Sequence, residues 1–524
     1  MKTQLLWMAA ALLLQAGAGQ AQTAPPAKTS PLAARRLVYA SPFEEAALTS
    51  KAPASEKGYL AQLMAAGPGV GEPHLQKAQQ VLTNLYAQID ATKPASKPLA
   101  KQVRTIFELA HQQFLTKYED KATFDQTIEG GVYNCVSASA LYALIFEHYQ
   151  IPYAIKLKPT HVYVVADPQG GNIVVEGTDP KGGYFLPDAR FKKAYVEFLT
   201  EHKLVSQAEV TKLGTEEIFK QKFQADKSIQ LPQLISLQYY NQGVTALVEE
   251  DGERAYRALQ KAEKLFPADE TKYLVTQSLR QRLQGISYSK LEDVEILTDF
   301  YARQSADKYH DECLGDFRQL TQKFLLDKGD TATYRATYQA FQGSVADSAT
   351  RANISYVYYM QQGRMQMLKQ NNLGAFPLLM QAYEYNSTSP ELQGLTMAVV
   401  HEENSRTNGG IRMLRHLELY AYEHPKQKGN PLLQKAYLQT YARATYDYFV
   451  QGKRPEGKRH LALFEQARTR KGAEIEAQTV ASVYLSASIA SLKDRDTAST
   501  GAYARKGLTF DPTNQQLREL ARFK

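Results

Sequence analysis

The chain has 524 residues, 44% of them hydrophobic and 22% charged, so it can bury a large core, divides into more than one domain, and is globular rather than disordered. A formal charge of +8 and a pI near 9.0 raise the prospect of an anionic partner, but the basic excess is spread along the chain and no Lys/Arg block stands out. Charge and motifs together give no nucleic-acid reading.

At the start, Lys2 precedes the apolar run Leu5 to Ala16, and Gly19 and Ala21 supply small residues before Gln22. This pattern predicts a signal peptide over residues 1–21 and a periplasmic or secreted mature chain. The apolar run is shorter than the roughly 20 residues a bilayer crossing needs, and no later segment is long and apolar enough to span one. Residues 22–55, rich in Ala, Pro, Ser and Thr up to about Lys51, read as a flexible leader. The sole Trp, Trp7, lies in the signal segment.

From about His74 to Tyr118 apolar residues recur at helical spacing, with Val81, Leu82, Leu85 and Tyr86 in one stretch and Val103, Ile106, Phe107, Leu109 and Ala110 in the next. Two helices broken near Pro94 and Pro98 are predicted. The pair Gly130-Gly131 is a breaker and Asn134 a good helix cap, after which CVSASALYALIFEHYQ reads as a buried helix ending before Ile151-Pro152. The period then changes. YAIKLK, HVYVVA and NIVVEG read as three strands, the last two joined by a DPQGG hairpin. After Gly183 the pattern is helical to Lys524.

In the helical remainder one set of intervals recurs. Tyr239, Gly243, Ala255 and Ala262, followed by Pro267, are spaced like Tyr359, Gly363, Ala375 and Ala382, with a weaker echo at Tyr484, Ser488, Gly507 and Pro512. Those intervals suit paired helices that approach closely at small residues. The region resembles the tetratricopeptide repeat (TPR), although residues from about Thr271 to Thr350 do not keep the spacing. A degenerate helical repeat implies a protein partner on its surface.

Cys135 falls at the predicted N-terminus of a helix, where unpaired N–H groups and the helix dipole favour a thiolate. His161 begins a strand, so its ring lies at a sheet edge, within range to take the thiol proton. Two acids, Glu176 and Asp179, follow on or after the next strand, and either is placed to orient the ring. A disulfide between Cys135 and Cys313 is the competing use of the two cysteines. No metal-ligand spacing and no phosphate loop occur, so no metal or cofactor is expected.

The stretch GVYNCVSASALYALIFEHYQIPYAIKLKPTHVYVVADPQGGNIVVEGTDP is similar to the transglutaminase-like superfamily, in which a Cys opening a helix is followed by a His and an acid on successive strands. The resemblance assigns the nucleophile to Cys135 and the base to His161. The acid stays open: aligning Thr178 with the family's Asp-Pro-Thr puts it on Glu176, and aligning Asp179-Pro180 puts it on Asp179. Tyr163 stands where the family often has Trp. The expected architecture is therefore an α+β transglutaminase-like (papain-like) domain over residues 56–225 and an all-α, TPR-like helical-repeat region over 226–524. The resemblance implies a thiol enzyme acting on an amide bond of a protein or peptide substrate, with hydrolysis ahead of amine cross-linking. The alternative is an inactive fold of the same kind, serving with the repeats as an adaptor.

Overall fold

The computed structural model describes residues 37–50, 55–158, 160–201, 204–223, 227–304, 308–470 and 474–524. The expected signal segment and much of the expected leader, residues 1–36 and 51–54, lie outside the described residues. The chain divides into two compact units, one reaching residue 286 and one running from 287 to 524.

The first unit opens with helices α1 (Pro42–Thr49), α2 (Glu56–Ala65), α3 (Glu72–Ala91), α4 (Leu99–Phe114), α5 (Phe124–Gly130) and α6 (Cys135–His148). Pro94 and Pro98 separate α3 from α4, since neither ring tolerates a helix continuing through it. Every residue of α6 from Val136 to Phe146 is buried, so this helix has no solvent face. Its surroundings come from α2, α4, α5 and the later helix α9 (Leu231–Val248), with Leu63, Phe107, Phe124 and Leu234 in the same core.

Two-residue strands β1 (Lys117–Tyr118) and β2 (Val132–Tyr133) pair in parallel just before α6. The remaining strands, β3 (Tyr153–Lys158), β4 (His161–Ala166), β5 (Ile173–Val175), β6 (Tyr184–Phe185) and β7 (Lys227–Ile229), form one antiparallel sheet in the order β6-β5-β4-β3-β7. The register places Lys158 opposite His161, Val164 opposite Val175 and Ile155 opposite Ile229. Helices α7 (Ala189–Glu201) and α8 (Gln207–Phe223) close a satellite cluster of Val196, Leu199, Ile218 and Phe219.

The expected α+β papain-like domain is corrected by this architecture. Helices dominate the unit, and the sheet consists of five strands of two to six residues. The sheet supplies a few Val and Ile side chains to a core that helical residues fill. Short β-branched runs form strands here because β3 and β4 pack one face on α6, yet they are too short to make a layer that sets the fold.

Helix α9 pairs with α10 (Gly252–Leu265), which packs in turn on α11 (Asp269–Leu283). A buried ion pair ties α1 to this group: Lys261 Nζ donates to both Glu44 carboxylate oxygens, at 2.8 and 2.9 Å. The Lys261 ammonium also lies 5.6 Å from the centre of the Tyr239 ring. Such a pair is weak evidence for stability as a whole, but losing one partner strands the other charge in the core.

The second unit is helical in all its regular structure among the described residues: α12 (Leu291–Ala302), α13 (His310–Leu320), α14 (Thr331–Ser344), α15 (Ser348–Leu368), α16 (Asn372–Tyr385), α17 (Pro390–Ser405), α18 (Gly409–Glu423), α19 (Pro431–Val450), α20 (Arg454–Arg468), α21 (Ala477–Lys493), α22 (Thr497–Leu508) and α23 (Gln515–Leu520). A π-helical stretch, Thr321–Asp327, follows α13 in the region where the repeat spacing lapses. From α15 onward, helices pair as α15/α16, α17/α18, α19/α20 and α21/α22, and α19 packs on α21.

Small residues set these pairings. A methyl group at Gly363 of α15 would stand 2.6 Å from Leu379 of α16, and Gly243 of α9 meets Leu259 of α10 in the same way. At the equivalent place in α21, the Ser488 hydroxyl donates to the Thr500 carbonyl of α22 (2.7 Å). Thr445 and Gly457, in α19 and α20, keep the same interval as Gly363 and Ala375. Replacing Gly363 by Val should therefore lower stability by about 1–3 kcal/mol through overpacking. Gly394→Ala, in the open interior of α17, should raise it by about 0.5–1 kcal/mol. Urea denaturation midpoints of the two variants, shifted in opposite directions, check both.

Candidate functional site

The β2–α6 junction is built around Asn134. With extended backbone (φ −132°), it caps α6: its Oδ1 accepts from Ser137 N–H (2.9 Å), while Ser137 Oγ accepts from Asn134 N–H (3.0 Å). The Asn134 amide donates to the carbonyls of Asp120 and Ala122, at 3.0 and 2.9 Å. All the donors and acceptors of this side chain are thus used to hold the first turn in place, with Cys135 as the first helical residue. Cys135 is partly exposed and free, and Cys313 is free and buried, so no disulfide joins them.

Gly177 brings the end of β5 up to α6: a methyl group there would lie 2.6 Å from the Ala138 side chain. That approach sets Glu176 beside His161 at the start of β4. His161 Nε2 and Glu176 Oε2 are 2.5 Å apart, and the other carboxylate oxygen accepts from the Thr178 N–H (3.0 Å) and hydroxyl (2.7 Å). Glu176 engages Nε2, and Cys135 is the other side-chain hydrogen-bond partner of the ring.

The structure thus brings Cys135, His161 and Glu176 together. It leaves Asp179 in the loop between β5 and β6, exposed, where its carboxylate accepts from the N–H groups of Lys181 (3.1 Å) and Gly182 (2.9 Å). Those bonds, Gly182 first, hold its carboxyl below the usual range and make it a turn-former.

The electrostatics of the group agree with its geometry. Hydrogen bonds to Cys135 and Glu176 raise the His161 imidazole to about 9 against the opposing effect of burial. Burial pushes the Glu176 carboxyl up, but hydrogen bonds from His161 and Thr178 outweigh it and leave it below its ordinary value. His161 is therefore an imidazolium at neutral pH, a cation beside the sulfur at a helix N-terminus. Buried Cys313 is the opposite case, its thiol pushed up to about 12 by burial.

Sequence reading missed two neighbours. Thr178 locks Glu176, and the Glu-Gly-Thr spacing is a usable signal for such a side-chain turn. His111 on α4 lies 6.3 Å, ring to ring, from Tyr133; its imidazole is pushed down by burial, and its Nδ1 is buried with no hydrogen-bond partner among the described residues. A histidine in the last turn of an amphipathic helix carries no such signal. Among the described residues no cluster of three or more His, Cys, Asp or Glu forms a metal site, and no helix is long and apolar enough to cross a membrane.

No family model matches the chain, and no curated protein matches it. Among solved structures it is similar to a tetratricopeptide repeat protein from Parabacteroides merdae, at 16% identity and a TM-score of 0.19, covering 55% of this chain and 98% of that one. It is also similar to the APC/C hetero-tetramer Cut9-Hcn1, at 14% identity and a TM-score of 0.21, covering 64% of this chain and 69% of that one. At these scores the repeat reading rests on the helix pairs themselves.

The transglutaminase-like assignment is corrected accordingly, and with it the thiol hydrolase acting on amide bonds and the inactive transglutaminase-like adaptor. Among the described residues the chain is mostly helical, with helix packed on helix through most of its length. A Cys, a His and an acid in the right order on a helix and two strands are a local arrangement, which a small sheet inserted among helices also produces.

The raised His161 value has a definite sign. A group whose folded pKa exceeds its ordinary 6.5 contributes stability fully below that pH, and the contribution is lost as pH rises through about 9. An NMR titration of the His161 ring should give a midpoint near 9. In Glu176→Gln the midpoint should fall toward the free-imidazole value; an unmoved midpoint would show that the carboxylate does not hold the ring.

Proposed function

We propose that the chain is a helical-repeat protein that binds another protein along the first helices of its pairs. The observation that carries this reading is a set of exposed apolar side chains on adjacent first helices. Tyr446 and Val450 lie one turn apart on α19, Val450 at 62% exposure, and Ile489 and Leu492 lie one turn apart on α21. Tyr446 follows Thr445 as Ile489 follows Ser488, so these two side chains hold equivalent places relative to their helix crossings, with Val450 and Leu492 each about one turn further on. Scattered exposed apolar residues are ordinary, but repetition at one register on packed helices marks an interaction face.

Photo-cross-linkers placed at Val450 and Ile489 in the producing cell should give one discrete adduct. The same reagent at Lys458 of α20 should not. The double change Val450→Asp and Ile489→Asp should abolish the adduct probed from a cross-linker at Leu492. Equal labelling from both faces, or none, would overturn the reading.

A second reading concerns chemistry at sulfur and is favoured by the short His161–Glu176 contact. Cys135 carries a reactive sulfur beside the His161 cation, which holds a proton it can return, and Glu176 holds the ring, with Asp179 outside the group. Iodoacetamide should modify Cys135 at neutral pH at least about tenfold faster than Cys313, because thiolate character and exposure govern alkylation. His161→Ala should slow Cys135 toward an ordinary thiol without changing Cys313, and Glu176→Gln should act in the same direction but more weakly. Peptide mass mapping over time separates the two cysteines.

A further inference from the structure

At the other end of α6, an open cleft of about 500 Å³ lies between the C-terminal turn of the helix, the start of β3 and the β7–α9 junction. Tyr59 of α2, Phe146 and Tyr153 wall it with rings, Ile229 and Leu231 add aliphatic surface, and the one ionisable acid among the lining residues is Glu147. The Tyr153 hydroxyl donates to Glu147 Oε1 at 2.6 Å, which fixes the direction of the carboxylate. Among the described residues no cation pairs with Glu147. The carboxylate is felt across the cleft: burial and then the Glu147 charge keep the Tyr59 hydroxyl protonated above its ordinary range.

We infer that this cleft is a binding site for an alkylammonium group, with Glu147 taking the charge and Tyr59, Phe146 and Tyr153 enclosing the alkyl chain. Three observations converge on that chemistry. A carboxylate at the C-terminal end of a helix adds its charge to the negative end of the helix dipole, a combination that favours a cation. Ring faces attract cations and pack on methylene groups. The remaining wall sets the aliphatic surface of Ile229 and Leu231 beside the amides of Gln150 and Gln230, which suits an alkyl chain whose charged tip keeps polar neighbours. An anion is repelled by the same carboxylate, and a wholly apolar ligand would bury it without a partner. A primary ammonium on a short alkyl chain, as in a lysine side chain or a free amine, meets each requirement. The site stands about 20 Å from Cys135, the length of α6 at its rise per residue.

The test uses the whole protein and two probes of one shape, n-pentylammonium and neutral 1-pentanol, in saturation-transfer NMR and calorimetric titration. Pentylammonium should bind and receive saturation from tyrosine ring protons. Glu147→Gln should weaken that binding about tenfold or more, as loss of a charged hydrogen bond does, and leave any binding of pentanol unchanged. Glu147 is exposed, so its variant keeps the fold, which circular dichroism checks. Tyr153→Phe retains the wall but frees the carboxylate, and should weaken pentylammonium binding less. Equal affinity for pentanol, an unaffected Glu147→Gln variant, or absence of pentylammonium binding would each overturn the inference.

Discussion

The burial of α6 on all sides is the constraint from which the first unit follows. Eleven consecutive residues without a solvent face must be covered all round, and neither helices alone nor a sheet alone supplies that cover in this chain. The helices before α6 close part of its circumference, the small sheet closes another, and α9 arrives from much later in the sequence to complete it. A helix enclosed in this way can meet water only at its ends. The titratable groups set against α6 stand accordingly at those ends: Cys135 with His161 beside it where the backbone N–H groups point, and Glu147 among tyrosines where the carbonyls point.

The second unit obeys a different rule. Its helices pack in pairs, and small residues such as Gly363 and Ser488 set the spacing at their crossings. Buried charge is used there as a fastener: Glu403 is held by Arg412 through two hydrogen bonds (3.0 and 2.8 Å), and Asp447 accepts from Gly410 N–H (3.0 Å) and Arg443 (3.0 Å). Breaking either set would strand a buried charge, which costs more than a surface pair ever contributes.

Much of the local structure was legible in the sequence because the signals are local. The break between α3 and α4 at the prolines, the cap at Asn134, the buried helix after it and the strands β3, β4 and β5 all follow from period and punctuation. Cys135 and His161 were legible for the same reason, each being defined by the end of an element. What was not legible depends on contacts between distant segments. The choice of Glu176 over Asp179 needs the Gly177–Ala138 approach, and β7 is three residues that form a strand because β3 offers an edge. The α19/α20 pair escaped notice since Thr445 and Phe464 stand where other pairs have Gly and Ala. The same limit explains the wrong family: three residue types in order describe a neighbourhood of about sixty residues, while the fold is decided by how the many helices around it pack.

The Glu44–Lys261 pair carries a consequence for how the chain is made. Synthesis delivers α1 early, but the cation that matches its buried carboxylate arrives more than two hundred residues later. Until α10 exists, docking α1 would bury the Glu44 carboxylate without its cation, a cost set against the burial of Ala47 and Leu48. The first helix among the described residues therefore settles late in its unit, and its docking reports that the unit behind it is complete.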